Sequence, residues 1–95
     1  MHVISRKRLN DFAAIHPTSK EPLARWYRLI KSGRFDHFSD LRATFPHADQ
    51  VGKLTVFNVA GNHFRLIAAI HYNRKKVYVR AILTHAEYDE NFWKE

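Results

Sequence analysis

Arg65, Arg80, His85 and Tyr88 are the residues of this chain whose types and spacing could do chemistry together. The arginines fall in two neighbouring runs that alternate with period two. His85 and Tyr88, three apart, follow the second run directly in Thr84-His85-Ala86-Glu87-Tyr88-Asp89. A helical turn there sets both on one side of the junction. Histidine works near neutral pH as acid or base. Tyrosine could do so if nearby cations lowered its pKa, or it could stack on a base. Arginine forks suit the charge that develops on a phosphorane. Such a set could run metal-free RNA cleavage, in which the ribose 2′-hydroxyl attacks its own phosphodiester and the protein supplies a base, an acid and cations. DNA lacks that hydroxyl and would not be cut this way. Taken singly, each side chain also has a packing role open to it, and Thr84 with Glu87 reads first as a capping box.

Charge distribution supports a polyanionic ligand. Sixteen Lys and Arg stand against nine Asp and Glu, a formal net charge of +7. No acidic residue occurs between Asp49 and Glu87, an interval holding Lys53, Arg65, Arg74, Lys75, Lys76 and Arg80. Two arginines on one sheet face without a carboxylate are poor candidates for structural salt bridges. A solvated basic face and a phosphate-binding face both remain open. Metal chemistry is not expected: the seven histidines include no pair at i, i+4, and there is no cysteine to complete a ligand set. No metal and no cofactor are expected.

The elements that must position these residues divide the chain in two. Residues 1 to about 48 carry helical periodicity after a short opening strand, His2 to Ile4. Leu9, Phe12 and Ala13 define a helix ending before Pro17. Thr18-Ser19-Lys20-Glu21 has capping-box spacing, and Leu23, Trp26, Tyr27 and Ile30 line one face of a second helix with Gly33 at its C-cap. Ser39 is the expected cap of a short third helix, Asp40 to Phe45, stopped by Pro46. From about 54 to 83 the chain reads as an antiparallel meander: Leu54–Ala60, Phe64–Tyr72 and Lys76–Leu83. A helical turn is expected over about 85–93.

A tight second hairpin pairs Tyr72 with Val77, which sets Arg65 opposite Thr84 and Arg80 opposite Ala69. Pairing Val59 with Phe64 sets Asn58 opposite Arg65. Phe64, Leu66, Ala68, Ile70 and Tyr72 then share the helix-covered face with Val77, Val79, Ala81 and Leu83. Arg65, Ile67, Ala69, His71, Tyr78, Arg80, Ile82 and Thr84 take the other face. A one-residue slip would exchange the faces.

At 95 residues the chain has room for one domain, 1–95, and its 45% apolar content is too high for a disordered tail. With no cysteine, a disulfide scaffold and a cysteine nucleophile are excluded. No apolar run approaches the ~20 residues of a membrane span, and the first residues lack a signal-peptide core. A soluble cytoplasmic protein is the expectation.

The strings Val56-Phe57-Asn58-Val59-Ala60-Gly61-Asn62-His63-Phe64-Arg65-Leu66, Val77-Tyr78-Val79-Arg80 and Thr84-His85-Ala86-Glu87-Tyr88-Asp89 resemble the HigB family of bacterial toxins, within the RelE/ParE superfamily of type II toxin–antitoxin systems. The resemblance runs over essentially the whole chain. It implies an α+β fold, with N-terminal helices packed on one face of a small antiparallel sheet. It further implies a ribosome-dependent endoribonuclease that cuts translated mRNA and is neutralised by a helix-turn-helix antitoxin, HigA. Arg65, Arg80, His85 and Tyr88 take the positions of the superfamily's catalytic arginines and C-terminal acid or base. Lys53, Asn58 and Asn62 become candidates for positioning RNA, and Arg74, Lys75 and Lys76 for gripping the rRNA backbone. Two positions depart from the pattern: Ala60 stands where a second Gly is usual, and His63, a further RNA-contact candidate, where Lys is common. Two rival functions fit the same residues: a nucleic-acid-binding module without catalysis, and a ParE-like inhibitor of DNA gyrase.

Overall fold

The computed structural model describes residues 1–90 and 93. In chain order the elements are β1 (His2–Ile4), α1 (Arg6–Ile15), a 3-10 turn (Pro17–Ser19), α2 (Lys20–Ser32), α3 (Phe38–Thr44), β2 (Asp49–Val51), β3 (Leu54–Val59), β4 (Phe64–His71), β5 (Lys76–Thr84) and α4 (His85–Asp89). The strands form one sheet in the order β1-β5-β4-β3-β2. The sheet is mixed, not wholly antiparallel, because β1 runs parallel to β5 with Val3 beside Val77. These two strands are not consecutive: the helices α1–α3 and then the antiparallel run β2–β4 lie between them in the chain, so no hairpin constrains their direction. Among the described residues no helix is long and apolar enough to cross a membrane.

Apolar periodicity accounts for the layering. Leu23, Trp26 and Ile30 recur along one stripe of α2 and are buried, as is Leu9 of α1. They join Phe35, Leu41, Phe57, Val59, Phe64, Leu66, Ala68, Val77 and Val79 in one core between helices and sheet. Burial of a side chain such as Leu66, fully enclosed here, contributes about 1.5–3 kcal/mol. The N-terminal ammonium donates to the Ile30 and Lys31 carbonyls at 3.0 and 3.2 Å, so a cation sits on the C-terminal end of α2 and fastens β1 to it.

Several local details differ from the sequence reading. The Thr18–Glu21 capping box does not form: the chain is already helical from Pro17, and the Ser19 hydroxyl donates to the His16 carbonyl at 2.6 Å. The cap of α3 is His37, not Ser39, and the Asp40 carboxylate accepts the backbone N–H groups of Asp36 and His37, both at 3.1 Å. Gly33 is the α2 C-cap, yet its φ of −80° is open to any residue. What requires glycine is space, since a Cβ there would meet the Phe35 ring at 2.4 Å. The short strand β2 was not expected; it pairs with β3 through Gly52, at φ +60°.

The register of β4 and β5 is also different. His71 pairs with Lys76, Ile70 with Val77 and Ala68 with Val79, around a longer turn in which Lys75 takes φ +56°. Arg80 is then an extra residue in β5. Beyond it Ile67 pairs with Ala81, Leu66 with Ile82, Arg65 with Leu83 and Phe64 with Thr84. A bulge of one residue exchanges the two faces. Ile82 therefore packs on the core, and Ala81 and Leu83 share the face of Ile67 and Arg65. Arg65 lies opposite Leu83 rather than Thr84, and Arg80 has no ladder partner. The first hairpin has the expected register, with Asn58 opposite Arg65 and Val59 opposite Phe64. Ala60 in its turn holds φ +54°, the left-handed region that suits glycine.

Candidate active site

Arg65 enters β4 immediately after the Ala60–His63 turn, on the face turned away from α1 and α2. It is only 9% exposed, although it carries a full charge. A buried cation is costly unless its donors are met. Nη1 donates to the carbonyls of Asn62 and Phe64, both at 3.1 Å, and Nη2 donates to Asn62 Oδ1 at 3.2 Å. The guanidinium also lies over the Tyr88 ring, 5.4 Å from its centroid. That ring in turn stacks on Trp93 at 5.0 Å and 14°, and the Trp93 indole donates to the Tyr88 carbonyl at 3.0 Å.

Tyr88 is brought there by α4, which begins with no linker after β5. The capping box at this junction is fully formed: Thr84 N–H donates to Glu87 Oε1 at 2.9 Å, and Glu87 N–H to Thr84 Oγ1 at 3.2 Å. Thr84 and Glu87 thus fix the angle of α4. The His85 backbone N–H donates to the His63 carbonyl at 3.1 Å, tying α4 to the turn that also holds Arg65. His85 Nδ1 lies 3.6 Å from Asp89 Oδ2, and half of the His85 side chain is open to solvent. A groove beside it is lined by Asn62, His63, Phe64, Thr84, His85 and Ala86. A larger groove between α1 and α2, lined in part by Arg6, Tyr27, Arg28 and Lys31, shares none of these residues.

Of the four residues singled out for chemistry, Arg65 and Tyr88 are in contact, and His85 stands on the same short helix as Tyr88 with its backbone tied to the turn before Arg65. Arg80 sits on the neighbouring strand at the bulge, exposed. Its carbonyl accepts from Arg8 Nη1 at 2.9 Å, which ties the bulge to α1. From Ile67, beside the bulge, to Arg65 is two residues of β4, roughly 7 Å. Arg8 therefore adds a cation near Arg80 that the sequence did not single out.

The candidates for RNA contact disperse. Asn58, Asn62 and His63 lie at the Arg65 end of the sheet and are exposed. Lys53 lies in the β2–β3 turn, at the other end of β3. Arg74, Lys75 and Lys76 lie at the far end of β4 and β5 from Arg65. Lys75, expected as a cation for rRNA, has a structural partner in the fold: its ammonium donates to the Phe35 carbonyl at 3.0 Å and pairs with Asp36. It fastens the turn to the segment after α2. The helical turn expected over 85–93 is seen for His85–Asp89, and residues 91 and 92 lie outside the described residues. Trp93 was missed, its signal being an aromatic five positions after Tyr88. Among the described residues no three His, Asp or Glu converge as a ligand set.

Comparison with known proteins finds a family and several relatives that cover most of the chain. Residues 19–91 match the HigB toxin family, described as the RelE-like toxic component of a toxin-antitoxin system. The mRNA interferase toxin HigB of Escherichia coli K12 is 38% identical over 92 residues, 94% of this chain and 88% of that protein. The mRNA interferase HigB of Shigella flexneri shows the same identity and coverage. A relative of the same name from Escherichia coli O6:H1 is 36% identical over 93 residues, 95% of this chain and 90% of its own length.

Proposed function

The chain belongs to the HigB family of RelE-like toxins, and on that premise we propose that it cleaves mRNA during translation, on the ribosome, through the 2′-hydroxyl of its substrate. It is the toxin of a toxin–antitoxin system and an mRNA-cleaving enzyme, so an antitoxin is its partner. We assign that partner to the helix-turn-helix HigA type and the site of action to the cytoplasm.

One observation carries the chemical reading: Arg65 is buried, held over Tyr88, and paired with no described carboxylate. A cation kept in such a place is suited to charge arriving with a ligand, and a phosphodiester brings it. Arg65, with Arg80 one strand away, stabilises the pentavalent phosphorus. His85 or Tyr88 takes the proton from the 2′-hydroxyl as O2′ bonds to phosphorus; the bond from phosphorus to O5′ breaks, and O5′ takes a proton from the other. The products are a 2′,3′-cyclic phosphate and a 5′-hydroxyl. Arginine is always protonated and is a poor base, which leaves the α4 residues to move protons. His63, in the groove, and Asn58, opposite Arg65 on β3, contact the RNA, while Lys53, Arg74 and Lys76 contact the ribosomal surface farther out.

Inducible expression followed by mapping of mRNA 5′ ends against the reading frame tests this. Cuts should appear soon after induction and keep a fixed phase with the codons. DNA damage with intact mRNA would instead identify a gyrase inhibitor, and growth arrest without either would indicate binding alone.

A further inference from the structure

We propose that Asn62 is a positioning residue that holds Arg65 by neutral oxygens only, so that the arginine is fixed in place with its charge unspent. The inference rests on the reading of Arg65 as the phosphate-binding cation.

Three of the five guanidinium donors are engaged, and two of the three bonds end on Asn62, one on its carbonyl and one on Oδ1. The third ends on the Phe64 carbonyl. With the Tyr88 ring added, this buried cation is met among the described residues by uncharged dipoles and a π-face. Buried arginines ordinarily meet a carboxylate, which satisfies donors and cancels charge together. Here the two tasks are separated. Oriented dipoles offset part of the desolvation, yet the net charge persists for an incoming anion, and two N–H donors remain beyond the three engaged ones.

The local backbone explains why this residue can do it. Ala60 and Gly61 both take positive φ, at 54° and 65°, and His63 N–H closes the turn on the Ala60 carbonyl at 3.2 Å. That bend leaves Asn62 three residues before Arg65, with its carbonyl and its side chain reaching the same guanidinium. Asn62 is exposed, so it is not held there by packing. Aspartate would have the same shape and reach. It would hold Arg65 at least as well, and it would cancel the charge.

Asn62→Ala and Asn62→Asp separate positioning from every simpler role. Single-turnover cleavage on translating ribosomes, thermal unfolding, and side-chain NMR of the arginines during titration with inorganic phosphate supply the readouts. Asn62→Asp should keep the wild-type unfolding temperature or raise it, keep the Arg65 Nη signals restrained, and still lose about 10²-fold in cleavage rate. Its phosphate-dependent shift at Arg65 should disappear. Asn62→Ala should release the Arg65 signals and lower the rate, with little change in the ribosome concentration at half-saturation. Full activity in Asn62→Asp would show that only the shape of the side chain matters and would overturn the proposal. So would a raised half-saturation in Asn62→Ala with Arg65 still restrained, which is the mark of direct RNA contact. If the wild type cleaves no mRNA, the phosphate titration decides alone: a shift at Arg65 that Asn62→Asp abolishes supports the neutral cradle, and an unchanged shift refutes it.

Discussion

The Arg65 guanidinium lies 5.4 Å from the centre of the Tyr88 ring, joining the start of β4 to the helix that follows β5. A cation over an aromatic face contributes about 0.5–2 kcal/mol, depending on how far water is excluded. The pair also sets a constraint. Moving α4 would disturb the residue proposed to bind phosphate, so the capping box of Thr84 and Glu87 serves the site through geometry alone.

Arg65→Ala should lower the single-turnover cleavage rate by about 10²–10³-fold, the loss seen when a donor to a developing oxyanion is removed. Arg65→Lys should restore little of it, because an ammonium lacks the planar fork that Asn62 and Phe64 grip. A lysine variant cutting at the wild-type rate would count against a role for that geometry.

His85→Ala and Tyr88→Phe should each slow the same single-turnover step by roughly 10²–10⁴-fold if both residues move protons. Tyr88→Phe keeps the ring under Arg65, so its unfolding temperature should stay near the wild-type value. A Tyr88→Phe enzyme of full activity would reduce Tyr88 to a platform for Arg65.

Lys75 holds the Asp36 carboxyl below the usual aspartate pKa, mainly through their hydrogen bond. Because the folded value is depressed, this contribution is complete above the unfolded aspartate pKa of about 3.9 and is lost as pH falls through the folded value. Lys75→Met should therefore lower the urea midpoint at neutral pH, and the gap from wild type should shrink on acidification below about pH 4. Its cleavage rate should match wild type, since Lys75 fastens a turn remote from Arg65. A gap independent of pH would contradict the ion pair.

Gly33→Ala should destabilise the fold by about 1–3 kcal/mol, the usual cost of overpacking. The new Cβ would stand 2.4 Å from the Phe35 ring and 2.9 Å from the Leu29 carbonyl. Denaturant unfolding of the variant checks this, and an unchanged midpoint would mean that Phe35 yields easily.

The α+β layering was legible because Leu23, Trp26 and Ile30 repeat with helical period, while Phe64, Leu66 and Ala68 alternate. The bulge at Arg80 was not. Ala81, Ile82 and Leu83 are all apolar, so either face assignment satisfies the pattern and nothing in the residues marks where the parity changes. β2 escaped because a strand of three residues has too short a pattern to read. His37 and Asp40 have the spacing of a cap and its partner, a signal present in the sequence that the nearby Ser39 obscured. At the site, residue types pointed to Arg65, His85 and Tyr88. The hold of Asn62 on Arg65 and the stacking of Trp93 on Tyr88 depend on a turn conformation and a helix angle that spacing alone does not specify.

Single-turnover cleavage of an mRNA bearing a 2′-deoxy sugar at the cut position tests the proposed chemistry most directly. In that proposal Arg65 stabilises the phosphate, His85 and Tyr88 transfer the protons, and the substrate supplies its own nucleophile. The deoxy message should bind the ribosome–toxin complex normally and remain uncut at that position, while the all-ribo message yields a 2′,3′-cyclic phosphate end. Cleavage of the deoxy message at the normal rate would contradict 2′-hydroxyl attack and, with it, the roles given to these residues.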